Sequence, residues 1–210
     1  MIRLSRELLD RLRRAGARAY PEEGCGVLLG HEDDDSGPAG QALRTVTGIR
    51  PVENARTSDR KRRYLIPPET FRRVEEEARE AGLEVLGFYH SHPDHPAEPS
   101  RTDKELAWPW YSYVIVPVRR RIPGTPRSWR LLNDRSRFRS EEIQVVATGA
   151  VTEPGSGAVT EPGSGAVTEA GSGTATGGEP GAATRDAPSR VHETDPTGRR
   201  PRNLKEQRSA

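Results

Sequence analysis

The chain has 210 residues, 32% hydrophobic and 30% charged, with a formal net charge of +2. So small a basic excess gives no footprint for nucleic acid, and a single cysteine excludes both an internal disulfide framework and any cysteine-rich zinc motif. No apolar run has the form of a signal peptide or the length of a membrane span, so the expectation is a cytoplasmic protein with no membrane partner.

In chain order, Ile2, Leu4, Leu8, Leu9, Leu12 and Ala15 sit among Arg, Glu and Asp. This predicts one amphipathic helix from Ile2 to Ala19, with Ser5 available as a cap. Pro21 ends that approach, and Gly24 to Gly30 reads as a short buried strand. Cys25 within it is either a thiol nucleophile or a small buried apolar residue, the usual fate of a free cysteine. His31 to Gly40 is a loop by composition, and its acidic run lacks the spacing of a calcium loop. Ala42 to Pro51 alternates and should pair with the preceding strand. Val52 to Arg63 is a charged loop, whose Arg56, Arg60, Lys61, Arg62 and Arg63 face either an acidic partner or solvent.

Tyr64 to Ile66 reads as a short strand. Pro67 and Pro68 then introduce a helix from Glu69 to Ala81, with Phe71, Val74 and Ala78 on one face and Gly82 as its stop. A strand from Leu83 to His90 follows, and after Pro99 a short helix interrupted by Pro109. Trp108 and Trp110 beside that proline either line a groove or pack on the sheet. Ser112 to Val118 is a further strand, Arg119 to Pro126 a turn, and Ser128 to Asn133 with Phe138 to Val146 a closing meander. Large apolar residues almost cease near residue 149. Three eight-residue units then follow, Ala-Val-Thr-Glu-Pro-Gly-Ser-Gly twice and Ala-Val-Thr-Glu-Ala-Gly-Ser-Gly once. That period is too short for a stacked solenoid. The expected organisation is one domain over 1–147 and a low-complexity, disordered tail over 148–210.

The chemistry concentrates in residues 88–103, which contain His90-x-His92 and, seven residues on, Ser100-x-x-Asp103. Residues two apart on a strand share a face, so His90 and His92 can aim both imidazoles at one point if the strand lasts through Ser91. Pro93, Pro96 and Pro99 forbid a helix until Ser100, which stands as an N-cap with Asp103 in the first turn. Two His and one Asp are a donor set that zinc accepts, and three protein ligands leave a position for water. The competing reading of Ser100-x-x-Asp103 is a capping box without metal. The strand-then-helix order favours a metal centre.

His90-Ser91-His92-Pro93 followed by Pro99-Ser100-x-x-Asp103 resembles the signature of the JAMM metallopeptidases, the catalytic branch of the Mov34/MPN/PAD-1 superfamily. Tyr20 to Gly30, with Glu23-x-Cys25-Gly26 inside it, resembles that family's upstream glutamate segment. Ala107 to Val116 resembles the following strand of a small bacterial branch that trims ubiquitin-like sulfur carriers. The resemblance implies an α/β (α+β) domain, a central mixed sheet flanked by helices in cytidine-deaminase-like layers. It implies one zinc ion on His90, His92 and Asp103, Glu23 as general base and acid, Ser100 as oxyanion donor, and His95 as a rim residue. It further implies a partner, a ubiquitin-like sulfur-carrier protein with a C-terminal Gly-Gly, cut at a peptide or isopeptide bond in cysteine or other sulfur metabolism. The alternatives are deconjugation of modified proteins and a non-catalytic MPN scaffold, which loses motif residues that this chain keeps.

Overall fold

In the computed structural model, which describes residues 1–33 and 42–147, the chain opens on a strand and not on a helix. Ile2–Ser5 (β1) buries Ile2 and Leu4 on alternate positions at 0% and 1% exposure, and the helix α1 begins only at Arg6, running Arg6–Ala19. The predicted single helix is thereby corrected. Its first four residues have period two, a pattern too short to stand apart from the helical spacing that follows. Ser5 is the N-cap, its Oγ accepting from the Leu8 N–H at 3.2 Å.

The remaining elements are β2 (Cys25–Asp33), β3 (Leu43–Val52), α2 (Pro68–Glu80), β4 (Glu84–Pro93), α3 (Arg101–Leu106), β5 (Ser112–Arg119), β6 (Ile122–Pro123), β7 (Arg127–Leu131), β8 (Phe138–Glu141) and β9 (Ile143–Val146). They form one mixed sheet in the order β8-β7-β5-β4-β2-β3-β1-β9, with β6 on β5. β4 runs parallel to β5, and β1 parallel to both β3 and β9. β8 and β9 stand at opposite ends of this order although only Glu142 separates them, so the sheet curls until its ends approach. The predicted closing meander is therefore corrected: β8 pairs with β7, whereas β9 crosses to the far edge beside β1. Tyr64 to Ile66 is likewise no strand. Its backbone is satisfied locally, Leu65 N–H donating to Asn54 Oδ1 at 3.2 Å and Leu65 C=O accepting from Ala55 N–H at 3.0 Å.

Two apolar layers cover the two faces. Leu8, Leu9 and Leu12 of α1 pack against Leu4, Leu28, Val46, Val114 and Val116. Phe71 of α2 joins Tyr111, Tyr113 and Leu131, with Trp108, Trp110 and Trp129 packed around them. The tryptophans beside Pro109 thus stack on each other, centroids 5.1 Å apart, against the sheet. Val114 and Tyr113 are neighbours in β5 and enter different clusters, as alternation requires. Gly16 lets α1 approach the strand beneath it, for a Cβ there would stand 3.1 Å from the Ser91 Cβ. Gly82 ends α2 at φ +71°, a conformation other residues rarely adopt. Among the described residues no helix is long and apolar enough to cross a membrane. The repeat units and the expected disordered tail lie outside the described residues, as does most of the acidic loop after Asp33.

Candidate metal centre

β4 lies between β2 and β5 in the middle of the sheet. The pairing with β2 slips at Leu28/Leu29, where Leu86 is an extra residue on the β4 side. This bulge reverses the alternation, so Val85 and Phe88 share the α2 face while Leu86 and Tyr89 share the α1 face. From Phe88 onward the pattern is regular, and His90 and His92 follow Phe88 onto the α2 face. The strand continues through Ser91 to Pro93, as the motif required. Ser91 points the other way and ties β4 to the start of β2: its N–H donates to Gly24 C=O at 2.8 Å, and its Oγ accepts from Gly24 N–H at 2.9 Å. That pair holds the Glu23-Gly24 segment against the histidine strand.

The two Nε2 atoms of His90 and His92 stand 3.0 Å apart. Asp103 Oδ1 is 3.4 Å from His90 Nε2, and Asp103 Oδ2 is 3.7 Å from His92 Nε2. A tetrahedral ion with bonds of about 2.0–2.1 Å needs donor atoms about 3.3 Å apart, and these separations bracket that value. His92 Nδ1 lies 2.8 Å from the Pro96 carbonyl. This contact requires a proton on Nδ1 and leaves the Nε2 lone pair facing inward. Burial lowers the pKa of His90, a pressure its neighbour Asp103 only partly offsets, so the neutral, ligating form is favoured. A buried pair of inward-facing imidazole nitrogens beside a carboxylate can hold a cation, and His90, His92 and Asp103 are the one such group among the described residues.

Asp103 answers both readings of Ser100-x-x-Asp103 at once. Ser100 caps α3 with its Oγ accepting from Asp103 N–H at 3.1 Å, while Asp103 Oδ2 accepts from Ser100 N–H and from Ser100 Oγ, each at 2.7 Å. Capping fixes the carboxylate that faces the histidines. His95, by contrast, is exposed and outside the group.

Glu22 and Glu23, adjacent and identical in type, have opposite surroundings. Glu22 pairs with Arg60 Nε at 2.8 Å on the surface. Glu23 is 6% exposed. Burial pushes its carboxyl up to about 8; the nearby His92 opposes this, and the negative charges of Asp103 and Asp59 add to it. A carboxyl poised near neutrality next to a cation site is suited to exchanging protons. Cys25 is no rival as nucleophile. It is 2% exposed, its Sγ lies 3.5 Å from Val52 C=O, and burial pushes its thiol up to about 12.

Two further residues support the site. Tyr64 stacks on His90, ring centroids 4.8 Å apart at 27°, and closes the ligand against the loop 53–67. Asn54, buried, holds that loop together: its Nδ2 donates to Glu23 C=O at 3.1 Å and Arg63 C=O at 3.0 Å, and its Oδ1 accepts from Arg56 and Leu65 N–H. Glu23 N–H in turn donates to Arg60 C=O at 2.8 Å. Asn54→Ala should cost on the order of 2–4 kcal/mol from these unmade bonds. Hydrogen exchange should report it as faster amide exchange confined to residues 55–66 and 22–24.

The model of prokaryotic homologs of the JAB domain matches residues 5–132, which carry every residue of this centre. The chain belongs to that family. Among curated relatives of this JAB-domain protein, the desampylase of Haloferax volcanii is 40% identical over 109 residues, 51% of this chain and 71% of that protein. A Thermus thermophilus protein named "Probable TtuB-protein conjugate cleaving protease" is 33% identical over 104 residues, 49% of this chain and 62% of its own length. Among solved structures, a Salinibacter ruber protein is 43% identical with a TM-score of 0.54, covering 72% of this chain and 95% of that one. A Desulfitobacterium hafniense protein is 30% identical with a TM-score of 0.59, covering 70% and 94%. The JAB-domain reading of the His-x-His segment and the single mixed-sheet domain with flanking helices both stand.

Proposed function

We propose that this JAB-domain protein is a zinc peptidase that hydrolyses the bond following a C-terminal Gly-Gly of a ubiquitin-like protein. The observation that carries the reading is the convergence of His90, His92 and Asp103 beside the buried Glu23. The names of the two curated relatives, both of conjugate-cleaving type, support a ubiquitin-like partner. Bound there, a zinc ion supplies Lewis acidity for the scissile carbonyl and a water acidified towards about pH 7.

The chain's own residues do the rest. Glu23, held by the Asn54 and Arg60 backbone contacts, accepts the proton of the attacking water and returns it to the leaving nitrogen, a contribution typically of about 10²–10⁴-fold. Ser100 Oγ donates a hydrogen bond to Asp103 Oδ2 in the resting arrangement. Rotated away from Asp103, the same hydroxyl would donate to the developing oxyanion, a role typically worth about 10²–10³-fold. Tyr64 and the His92–Pro96 contact keep the imidazoles from swinging out.

A scaffold without metal is the reading from another class, and retention of every motif residue weighs against it. Between linkages, the relatives' names favour conjugates, and a sulfur carrier ending in Gly-Gly-Cys is the second substrate. Mass spectrometry of both, incubated with zinc-loaded protein, tests the proposal. Release of a carrier ending in Gly-Gly is the expected result, and the substrate consumed assigns the linkage. Intact substrates with zinc fully bound would reject the Gly-Gly specificity, and absence of bound zinc would reject the peptidase.

A further inference from the structure

The turn after β5 carries two side chains that its backbone does not suit. Val118 pairs with Pro123 and Arg119 with Ile122, so Arg120 and Arg121 alone make the loop between β5 and β6. Their φ values are +49° and +68°, the left-handed conformation that both central residues of such a two-residue turn adopt. Asn-Gly is the pair that fits it, and long side chains are uncommon there. Here Arg119, Arg120 and Arg121 stand in succession, all exposed, followed by Ile122 at 73% exposure. No guanidinium of the three enters an ion pair or a hydrogen bond among the described residues.

This hairpin is tied to the rim of the metal centre. Asp94 follows His92 by two residues; its N–H donates to Val118 C=O at 2.7 Å, and its Oδ1 accepts from Arg120 N–H at 3.3 Å. Its Oδ2 accepts from the Tyr20 hydroxyl at 2.9 Å, and Glu98 on the same connector pairs with Arg127. Both acids of the connector are thus engaged, and the three arginines are left to face solvent. The Glu23 side of the centre repeats the pattern. Glu23 N–H donates to Arg60 C=O, Lys61 and Arg62 beyond it are exposed, and the acids Glu22 and Asp59 are held by Arg60 and Arg63. Unpaired charge of one sign therefore flanks the centre, an arrangement that attracts and orients a macromolecule of the other sign.

We propose that Arg119, Arg120, Arg121 and Ile122 form a docking knuckle for an acidic face on the folded body of the ubiquitin-like protein, an inference that rests on the function proposed above. Of the two halves of a conjugate, the ubiquitin-like half is the constant one, and a fixed patch can fit only a constant surface. Ile122 marks the contact as one with protein, since an exposed apolar side chain among arginines suits the desolvated centre of a protein interface. A net charge of +2 offers too little for a phosphate backbone. The unfavourable turn conformation is then explained by function: it projects two guanidinium groups from the tip of a hairpin beside the centre.

The probe is a ubiquitin-like sulfur-carrier protein of acidic surface ending in Gly-Gly, the released product, so that binding to the full, zinc-loaded chain is read apart from catalysis. Arg120→Asn with Arg121→Gly gives the turn the pair it prefers, and this variant should fold with a Tm at or above that of its parent. Stopped-flow association with the carrier at about 0.05 M salt should nonetheless slow by about three- to tenfold with dissociation nearly unchanged, and the gap should close at about 0.5 M salt. Adding Arg119→Glu should widen it. Zinc content, and cleavage of a short tail peptide that contains Gly-Gly but no folded body, should match the parent. Equal association rates for variant and parent overturn the proposal, and so does a carrier that binds neither. In both cases tail-peptide cleavage still decides the peptidase reading by itself. Equal slowing with duplex DNA in place of the carrier would assign the hairpin to polyanions in general and also overturn the proposal.

Discussion

Replacing Glu23 with Gln is expected to lower the rate of substrate cleavage by about 10²–10⁴-fold while leaving metal content at the level of the unaltered protein. Glu23 is no member of the ligand group, and the amide keeps the size and acceptor oxygen of the carboxylate. What it loses is the ability to hold and release a proton at neutral pH. Elemental analysis of the purified variant, beside a cleavage assay, checks both halves. Cleavage at an unaltered rate would remove Glu23 from the chemistry.

The same substitution should make the metal-free protein more stable at pH 8. Burial raises the Glu23 carboxyl from 4.5 to about 8 in the folded chain. Between those values the folded state holds a proton that the unfolded state has released, so stability falls as pH rises. The contribution of Glu23 is complete below about 4.5 and lost through about 8. At about 1.4 kcal/mol per pKa unit, the full loss over the rise from 4.5 to about 8 is on the order of 5 kcal/mol. Gln is neutral throughout and escapes it. Denaturant unfolding of chelator-treated protein should therefore show the variant ahead at pH 8 and level with its parent near pH 4.5. Such a gap would identify Glu23 as a strained group kept in place for its chemistry.

How much of this was legible follows from which interactions are local. The strand through His90 and His92, the proline connector and the Ser100 cap depend on neighbours a few residues away, and the sequence shows them directly. β1 depends on β3 and β9, and its Ile-Arg-Leu-Ser was absorbed into the helix that follows because four residues cannot declare a period. The Leu86 bulge, which decides the face the histidines take relative to Val85, leaves no mark in composition. Tyr64 lies 26 positions from the ring it stacks on, brought there by a loop that Asn54 folds from within. Glu22 and Glu23 differ only in what the fold places over them, so their separate fates follow from the sheet, with the family resemblance as the only advance indication.

Asp103→Asn should produce the opposite pattern to Glu23→Gln. The carboxylate offers one oxygen to each histidine nitrogen, at 3.4 and 3.7 Å, and Oδ2 also accepts from Ser100 N–H and Oγ. An amide can keep the Ser100 contacts with its oxygen, but its other arm then directs an N–H₂ donor at the place where His90 and His92 converge. A donor there cannot ligate a cation, and one formal charge is lost, so zinc affinity should fall by at least about 10²-fold and activity with it. Metal-free stability should also fall at neutral pH. Burial by itself opposes ionisation of Asp103, yet the facing His90 imidazole and the hydrogen bonds from His90, His92 and Ser100 outweigh it and hold the carboxyl below its usual range. A depressed pKa contributes stability above the unfolded value of 3.8 that is lost as pH falls through the folded one. Asn forgoes that contribution, at a cost of about 1–3 kcal/mol for hydrogen bonds to a charged group. Isothermal titration with zinc and denaturant unfolding at pH 7 read the two effects separately. Full-affinity zinc binding by Asp103→Asn would take Asp103 out of the ligand set and leave its carboxylate a cap for α3 alone.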